Sequence, residues 1–271
     1  MPRHSDMNQF SRIPTRLSRG AAAALLLIGM AATLLTLFAP GARTARAGID
    51  RCGAPPELTA LAAPLPLTSE RLAEGKALTI VALGSSSTYG TGSSSPDKSY
   101  PSRLAALLQA RFPGAAIRVL NRGVGGELGD ATAARIDRDV LPERPDLVIW
   151  QFGTNDVLHD ADPAAAMETV RAGIERLQTA GVDVILMDLQ YAPRVLAHPS
   201  YRDMERDLWA VAHAADVPVF HRFAVMRHWA EDGYMTLPVM LAADHLHMTD
   251  ASYDCLARQL NASILRDARP G

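Results

Sequence analysis

The sequence offers no charge excess for an anionic partner. Its 27 lysines and arginines face 29 aspartates and glutamates, a formal net charge of −2. That excludes a reading built on bulk attraction to nucleic acid. No internal repeat is visible, which excludes a solenoid. Only two cysteines occur, Cys52 and Cys255, so at most one disulfide can form within the chain. Long apolar runs are also scarce: a single uncharged stretch, "AAAALLLIGMAATLLTLFA", spans Ala21 to Ala39.

That stretch has a context. Arg3, Arg12, Arg16 and Arg19 precede it against one acid, Asp6, and Ala45-Arg46-Ala47 follows it. A basic start, an apolar run and a small-x-small end define a secretory signal over residues 1–47. The run is also long enough for a retained anchor at residues 21–39. Either way the rest of the chain is expected outside the cytoplasm, periplasmic or secreted, because the arginines stay inside. No twin-arginine pair is present. Residues 1–47 hold six arginines and one aspartate. The remainder, 21 basic against 28 acidic residues, is net −7. In an oxidising compartment Cys52 and Cys255 are expected to pair, tying the start of the exported part to its last helix; the alternative is two free thiols.

With 48% hydrophobic and 21% charged residues the chain can bury a core. Residues 48–75, rich in proline and alanine, read as an extended lead-in. From residue 76 strands and helices alternate. Short apolar runs at 77–83, 115–121, 145–153, 182–189 and 217–221 read as buried strands. Helical spacing covers 100–112, 126–141, 162–181, 201–216 and 249–267, with a further helix at 221–235. Asp162 and Pro163 form a helix start and Gly181 a stop. Five such alternations predict a single α/β/α domain at 76–271 with a five-stranded parallel sheet. Ligands of such sheets bind at the carboxyl ends of the strands.

The loops there carry distinctive residues. After strand one comes Gly84-Ser85-Ser86-Ser87-Thr88, after strand two "NRGVGGELGD", after strand three Gly153-Thr154-Asn155-Asp156. Before the last helix comes Asp244-His245-Leu246-His247. Each alone has an ordinary reading: a Gly/Ser loop, a turn needing positive φ, a helix cap, a helix lead-in or partial metal site. Together, in this order, they supply a hydroxyl, backbone donors, an amide and an acid–imidazole pair, the parts of a serine acyl-transfer site.

These four blocks resemble those of the SGNH (GDSL-like) hydrolase family, over roughly residues 78–260. The resemblance implies a flavodoxin-like fold and assigns Ser86 as nucleophile, with Asp244 and His247 completing the triad. It implies an oxyanion hole from the Ser86 and Gly126 N–H groups and the Asn155 amide, with Gly125 the neighbour of Gly126 that could serve instead. One departure stands out: the acid usually before the nucleophile is Ser85 here. The chemistry implied needs no metal or cofactor. His247 would take the Ser86 proton and Asp244 would orient the imidazole; His245 is the second-choice base. A side chain at Gly126 would be expected to crowd the acyl oxygen.

Phe152, Gln190 and Tyr191, with Arg194, are candidate pocket residues, with Phe152 readable as core instead. Asp156 is expected to order the Asn155 loop and "GSSSPDKSYP" to shape the rim of the site. Trp150 reads as core, and His221 and His228 as structural or surface residues. The "NAS" at Asn261 falls in a helix and is discounted as a glycosylation site. The function that follows is an exported, monomeric serine esterase acting on short acyl or O-acetyl esters of small molecules, polysaccharides or lipids. The alternatives are lysophospholipase-like activity, weakened by the lack of an apolar lid, an acyltransferase, and a polysaccharide-binding module.

Overall fold

The computed structural model describes residues 51–267. The predicted signal or anchor at 1–47 lies outside the described residues. No helix among the described residues is long and apolar enough to cross a membrane.

Five parallel strands form the sheet: β1 (Leu78–Gly84), β2 (Ile117–Gly123), β3 (Leu147–Gln151), β4 (Asp183–Met187) and β5 (Val219–Phe220). Their order is β2-β1-β3-β4-β5, all pairs parallel. β3 and β4 are buried along their whole length and β1 nearly so. Their unbroken apolar runs, which alternation would not have produced, follow from helices covering both faces. β5 holds only two residues, because Pro218 has no N–H to give the ladder.

Among the described residues twelve α-helices surround the sheet. They are α1 (Pro56–Thr59), α2 (Pro66–Ala73), α3 (Ser86–Tyr89), α4 (Tyr100–Arg111), α5 (Gly129–Ala133) and α6 (Thr154–Leu158). Then come α7 (Pro163–Thr179), α8 (Pro193–Leu196), α9 (Tyr201–Ala214), α10 (Arg222–Glu231), α11 (Leu237–Met240) and α12 (Asp250–Asp267). The start of α7 is as the sequence predicts, with the Asp162 carboxylate accepting the Ala164 N–H at 3.0 Å. Asn261 lies within α12.

Two expectations are corrected. The lead-in is not extended: Pro56 and Pro66 each open a helix, since a proline at the first position loses no helical bond. α2 is fastened to the sheet by the Thr68 N–H on Asp183 at 2.7 Å and by Arg71 on Asp146 at 3.1 Å. The segment 126–141 is not one helix. α5 is followed by a π turn at Ile136–Val140 and a 3-10 turn at Leu141–Glu143. The buried Arg135 lies at this break, bonded to Glu127, Asp139 and the Arg122 carbonyl.

Cys52 and Cys255 are joined as a disulfide, with Cα atoms 4.6 Å apart. The ends are tied further. Gln259 donates to the Cys52 carbonyl, Trp229 to the Gly53 carbonyl at 3.0 Å, and Arg266 to the Thr59 carbonyl at 2.7 Å.

Strand order reverses direction between β1 and β3. A crevice outside the carboxyl ends of a parallel sheet opens at such a switch point. The loops leaving β1 and β3 carry Ser86 and Asn155.

Candidate active site

Chain direction sets the geometry. β1 ends at Gly84, and Ser86 begins the one-turn helix α3. The first N–H groups of a helix lie ahead of its own i→i−4 bonds, so the Ser86 N–H points out of the turn unclaimed by α3. One side-chain oxygen holds this turn. Gln151 Oε1, at the end of β3, accepts the Ser85 N–H at 2.9 Å and the Ser85, Ser87 and Thr88 hydroxyls at 3.0, 3.2 and 3.3 Å.

His247 comes from the loop before α12. Its Nε2 lies 2.8 Å from Ser86 Oγ, and its Nδ1 lies 2.5 Å from Asp244 Oδ2. A carboxylate only accepts, so Nδ1 carries the ring proton, Nε2 is bare, and the Ser86 hydroxyl donates to it. The other Asp244 oxygen accepts the Leu246 and His247 N–H groups at 3.0 and 2.9 Å. Partial burial pushes the Asp244 carboxyl up. The bonds from the His247 ring and the two N–H groups outweigh that and hold it at about 2. His245, between them, is exposed and has φ +55°. It takes the left-handed bend that lets Asp244 reach back to His247, and is not placed as a base.

The residues expected on the oxyanion side are stitched together. Asn155 Nδ2 donates to the Glu127 carbonyl at 2.8 Å, and Asp156 accepts the Gly129 N–H at 3.0 Å. The loop after β3 thus fixes the loop after β2, with Gly126 inside it. Burial raises the Asp156 carboxyl, against the bonds from Gly129 and neighbouring backbone. Glu127 is also held by Arg135 at 2.7 Å. Gly126 has φ +80°, and a Cβ there would meet no protein atom within 4 Å. The positive φ by itself asks for glycine, whatever the space around it. Gly125 has neither constraint.

The serine-rich segment expected at the rim packs beside the triad. A Cβ on Gly92 would stand 2.5 Å from the Met248 carbonyl and 3.0 Å from His247 Cβ, so this loop lies directly against the histidine. The Ser94 N–H and hydroxyl donate to Asp250 at 2.7 and 2.6 Å. A cavity of about 620 Å³ follows the loop, bordered by Tyr89, Ser94, Asn121 and Gly123. Tyr89 is 62% exposed.

The expected pocket residues divide differently. Phe152 and Gln190 are each 1% exposed and present no open wall. Phe152 packs edge-on against Trp150 with ring centres 5.6 Å apart. Gln190 donates to the Leu246 carbonyl at 2.8 Å, bracing the Asp244–His247 loop. Tyr191 borders another cavity, of about 550 Å³, with Tyr201, Arg202 and Phe223, and donates to Glu231 at 3.2 Å. Arg194 is exposed on α8. His221 and His228 face Asp188 and Asp232 at 3.5 and 2.5 Å.

A parallel sheet carrying a hydroxyl, an imidazole and a carboxylate in line at its switch point defines an SGNH-type carboxylic ester hydrolase. A model of the non-GDSL lipase-like family matches residues 51–270, and the chain belongs to that family. It is similar to an acetylxylan esterase of Geobacillus stearothermophilus, 28% identical over 185 residues, covering 65% of this chain and 81% of that protein. A 90-residue stretch is 30% identical to esterase TesA of Pseudomonas aeruginosa, covering 32% and 45% of the two chains. Among solved structures, a two-domain esterase active on acetylated mannans superposes with TM-score 0.64 at 23% identity, over 76% of this chain. The chain spans about half, 53%, of that protein. The acetylxylan esterase Axe2 of Geobacillus stearothermophilus gives 0.59 at 22% identity, over 70% of this chain and 95% of Axe2. At these identities the superpositions speak for the fold.

Proposed function

We propose that the protein is an exported esterase that removes short acyl groups, O-acetyl above all, from carbohydrate esters through an acyl-enzyme. The observation that carries this is the Ser86–His247–Asp244 line at 2.8 and 2.5 Å. In the reading, His247 Nε2 takes the Ser86 proton as Oγ attacks the ester carbonyl. Asp244 stabilises the imidazolium. The oxyanion is met by the Ser86 and Gly126 N–H groups and by the second hydrogen of the Asn155 amide, the first being used on Glu127. His247 returns the proton to the leaving alcohol, and water then releases the acid by the same steps.

The preference for acetylated sugars draws on two relatives, the acetylxylan esterase and the mannan-active esterase. The cavity along Tyr89 offers room and an exposed aromatic face for a sugar leaving group. Export draws on the Cys52–Cys255 disulfide and the basic-apolar start of the sequence. The test is hydrolysis of p-nitrophenyl esters from acetate to palmitate and release of acetate from acetylated xylan and mannan, beside Ser86→Ala. Turnover of short esters that vanishes in the variant supports the reading. An optimum at palmitate moves it to a lipase-like enzyme, and activity surviving in Ser86→Ala overturns it.

A further inference from the structure

A cation lies beneath the site, unused by the mechanism above. Arg222, the first residue of α10, is fully buried. Its Nη1 donates to Ser87 Oγ at 2.9 Å, and its Nη2 donates to Thr154 Oγ1 at 3.2 Å. Ser87 is the residue after the nucleophile, and Thr154 is the residue before Asn155. The Nε has no hydrogen-bond partner. The opposing charge that acts on the guanidinium is Asp188, itself fully buried and engaged by the Phe223 N–H at 2.9 Å and by Trp209 at 3.1 Å. Burial lowers the Arg222 pKa to about 10, so it stays a cation at neutral pH.

A charge withdrawn from water is unfavourable unless its bonds compensate, and an apolar side chain of similar volume would often serve stability as well. The bonds here go to two particular turns. Gln151 holds the Ser86 turn from β3, and Arg222 holds it through Ser87 while gripping the Asn155 turn. The guanidinium is a rigid planar fork whose two ends keep a fixed separation. It therefore sets the distance between the turns. We propose that Arg222 is a positioning residue for acyl transfer, one guanidinium locking the turn that carries Ser86 to the turn that carries Asn155. The inference rests on the esterase reading.

A misplacement of about 1 Å at a reacting centre costs on the order of 100-fold in rate. The experiment compares wild type, Arg222→Met, Arg222→Lys, Ser87→Ala and Thr154→Val in the full chain. It measures kcat and KM on p-nitrophenyl acetate, thermal unfolding, and the rate at which a fluorophosphonate labels each Ser86 site. Arg222→Met is expected to lower kcat about 100-fold with KM within roughly threefold, and to slow labelling per site equally. Arg222→Lys, which keeps the charge but can reach only one turn, recovers part of the loss. Thr154→Val and Ser87→Ala each lose about tenfold. A folded Arg222→Met with kcat within about threefold of wild type overturns the proposal, as does a loss traced wholly to fewer labelled sites. If Arg222→Met does not fold, an unchanged kcat and labelling rate in Thr154→Val overturns it. A wild type that neither turns over ester nor labels at Ser86 removes the esterase reading, and the lock falls with it.

Discussion

Replacing Cys52 and Cys255 by serine opens a covalent loop that encloses nearly the whole domain, with a sequence separation of 203. A crosslink limits the conformations of the unfolded chain. For a loop of about 200 residues the chain-entropy relation gives roughly 5 kcal/mol, above the 2–4 kcal/mol typical of measured bridges. The bond is buried, and the Gln259, Trp229 and Arg266 contacts keep its two ends docked after it is removed. The native state should therefore change little and most of the loss should be realised. For a domain of this size each kcal/mol moves Tm by about 2–4 °C, so the double variant should melt roughly 10 °C lower. Thermal unfolding followed by circular dichroism, with and without reductant, checks this. Reduced wild type should match the variant, and reductant should leave the variant unmoved. The kcat at 25 °C should stay within about twofold, since the effect lies in the unfolded chain. A Tm within about 2 °C of wild type, or an equal effect of reductant on the variant, refutes the reasoning.

Three further outcomes follow from the site. Gly126→Ala should cost about 1 kcal/mol in stability, from its positive φ, and lower kcat, whereas Gly125→Ala should leave both nearly unchanged; urea titration and ester kinetics on the pair decide it. Asp244→Asn should lower kcat by about 10⁴ with the fold intact, because the amide can turn the wrong ring tautomer toward Ser86. The Asp244 carboxyl is depressed to about 2 from an ordinary 3.8, so its contribution to stability is fully present above pH 4 and is lost as pH falls toward 2; unfolding followed across that window in wild type and Asp244→Asn should show the variant's acid limb flattened. Glu205 has the opposite sign. Burial, then the nearby Asp188 charge, raises it to about 7, so stability is full below pH 4.5 and falls as pH rises through 7. Glu205→Gln should raise Tm by about 2–4 °C at pH 8 and leave it unchanged at pH 4.

The α/β alternation was legible because β1, β3 and β4 are apolar nearly throughout, a pattern that only a sheet covered on both faces produces. The strand order was not, since crossover direction leaves no trace in local pattern. The helices of the lead-in were hidden by their prolines, which usually punctuate loops but here start helices. The break after α5 was hidden because it depends on where Arg135 finds acceptors, which is a tertiary matter. In the site, Ser86, Asn155, Asp244 and His247 were readable since each sits in a loop at the carboxyl side of a strand or just before a helix. Gln151 and Arg222 were missed. Both act on backbone turns far away in sequence, and the one local signal was a polar residue closing the apolar strand "LVIWQ". Phe152, readable as core or as pocket wall, is core: two residues after Trp150 in an extended chain, it lies on the same face of the sheet and packs edge-on against that ring.

The hydroxyl and imidazole that meet at 2.8 Å are 161 residues apart in the chain. Nothing shorter than most of the domain contains both. Release of a coloured alcohol from an ester is therefore a direct signal that the segment carrying Ser86 and the segment carrying His247 have come together. Two separately produced fragments, divided at the exposed turn around Asp160, would each be silent and would regain colour only on reassociation, which makes the fold a natural scaffold for a split reporter of protein encounters.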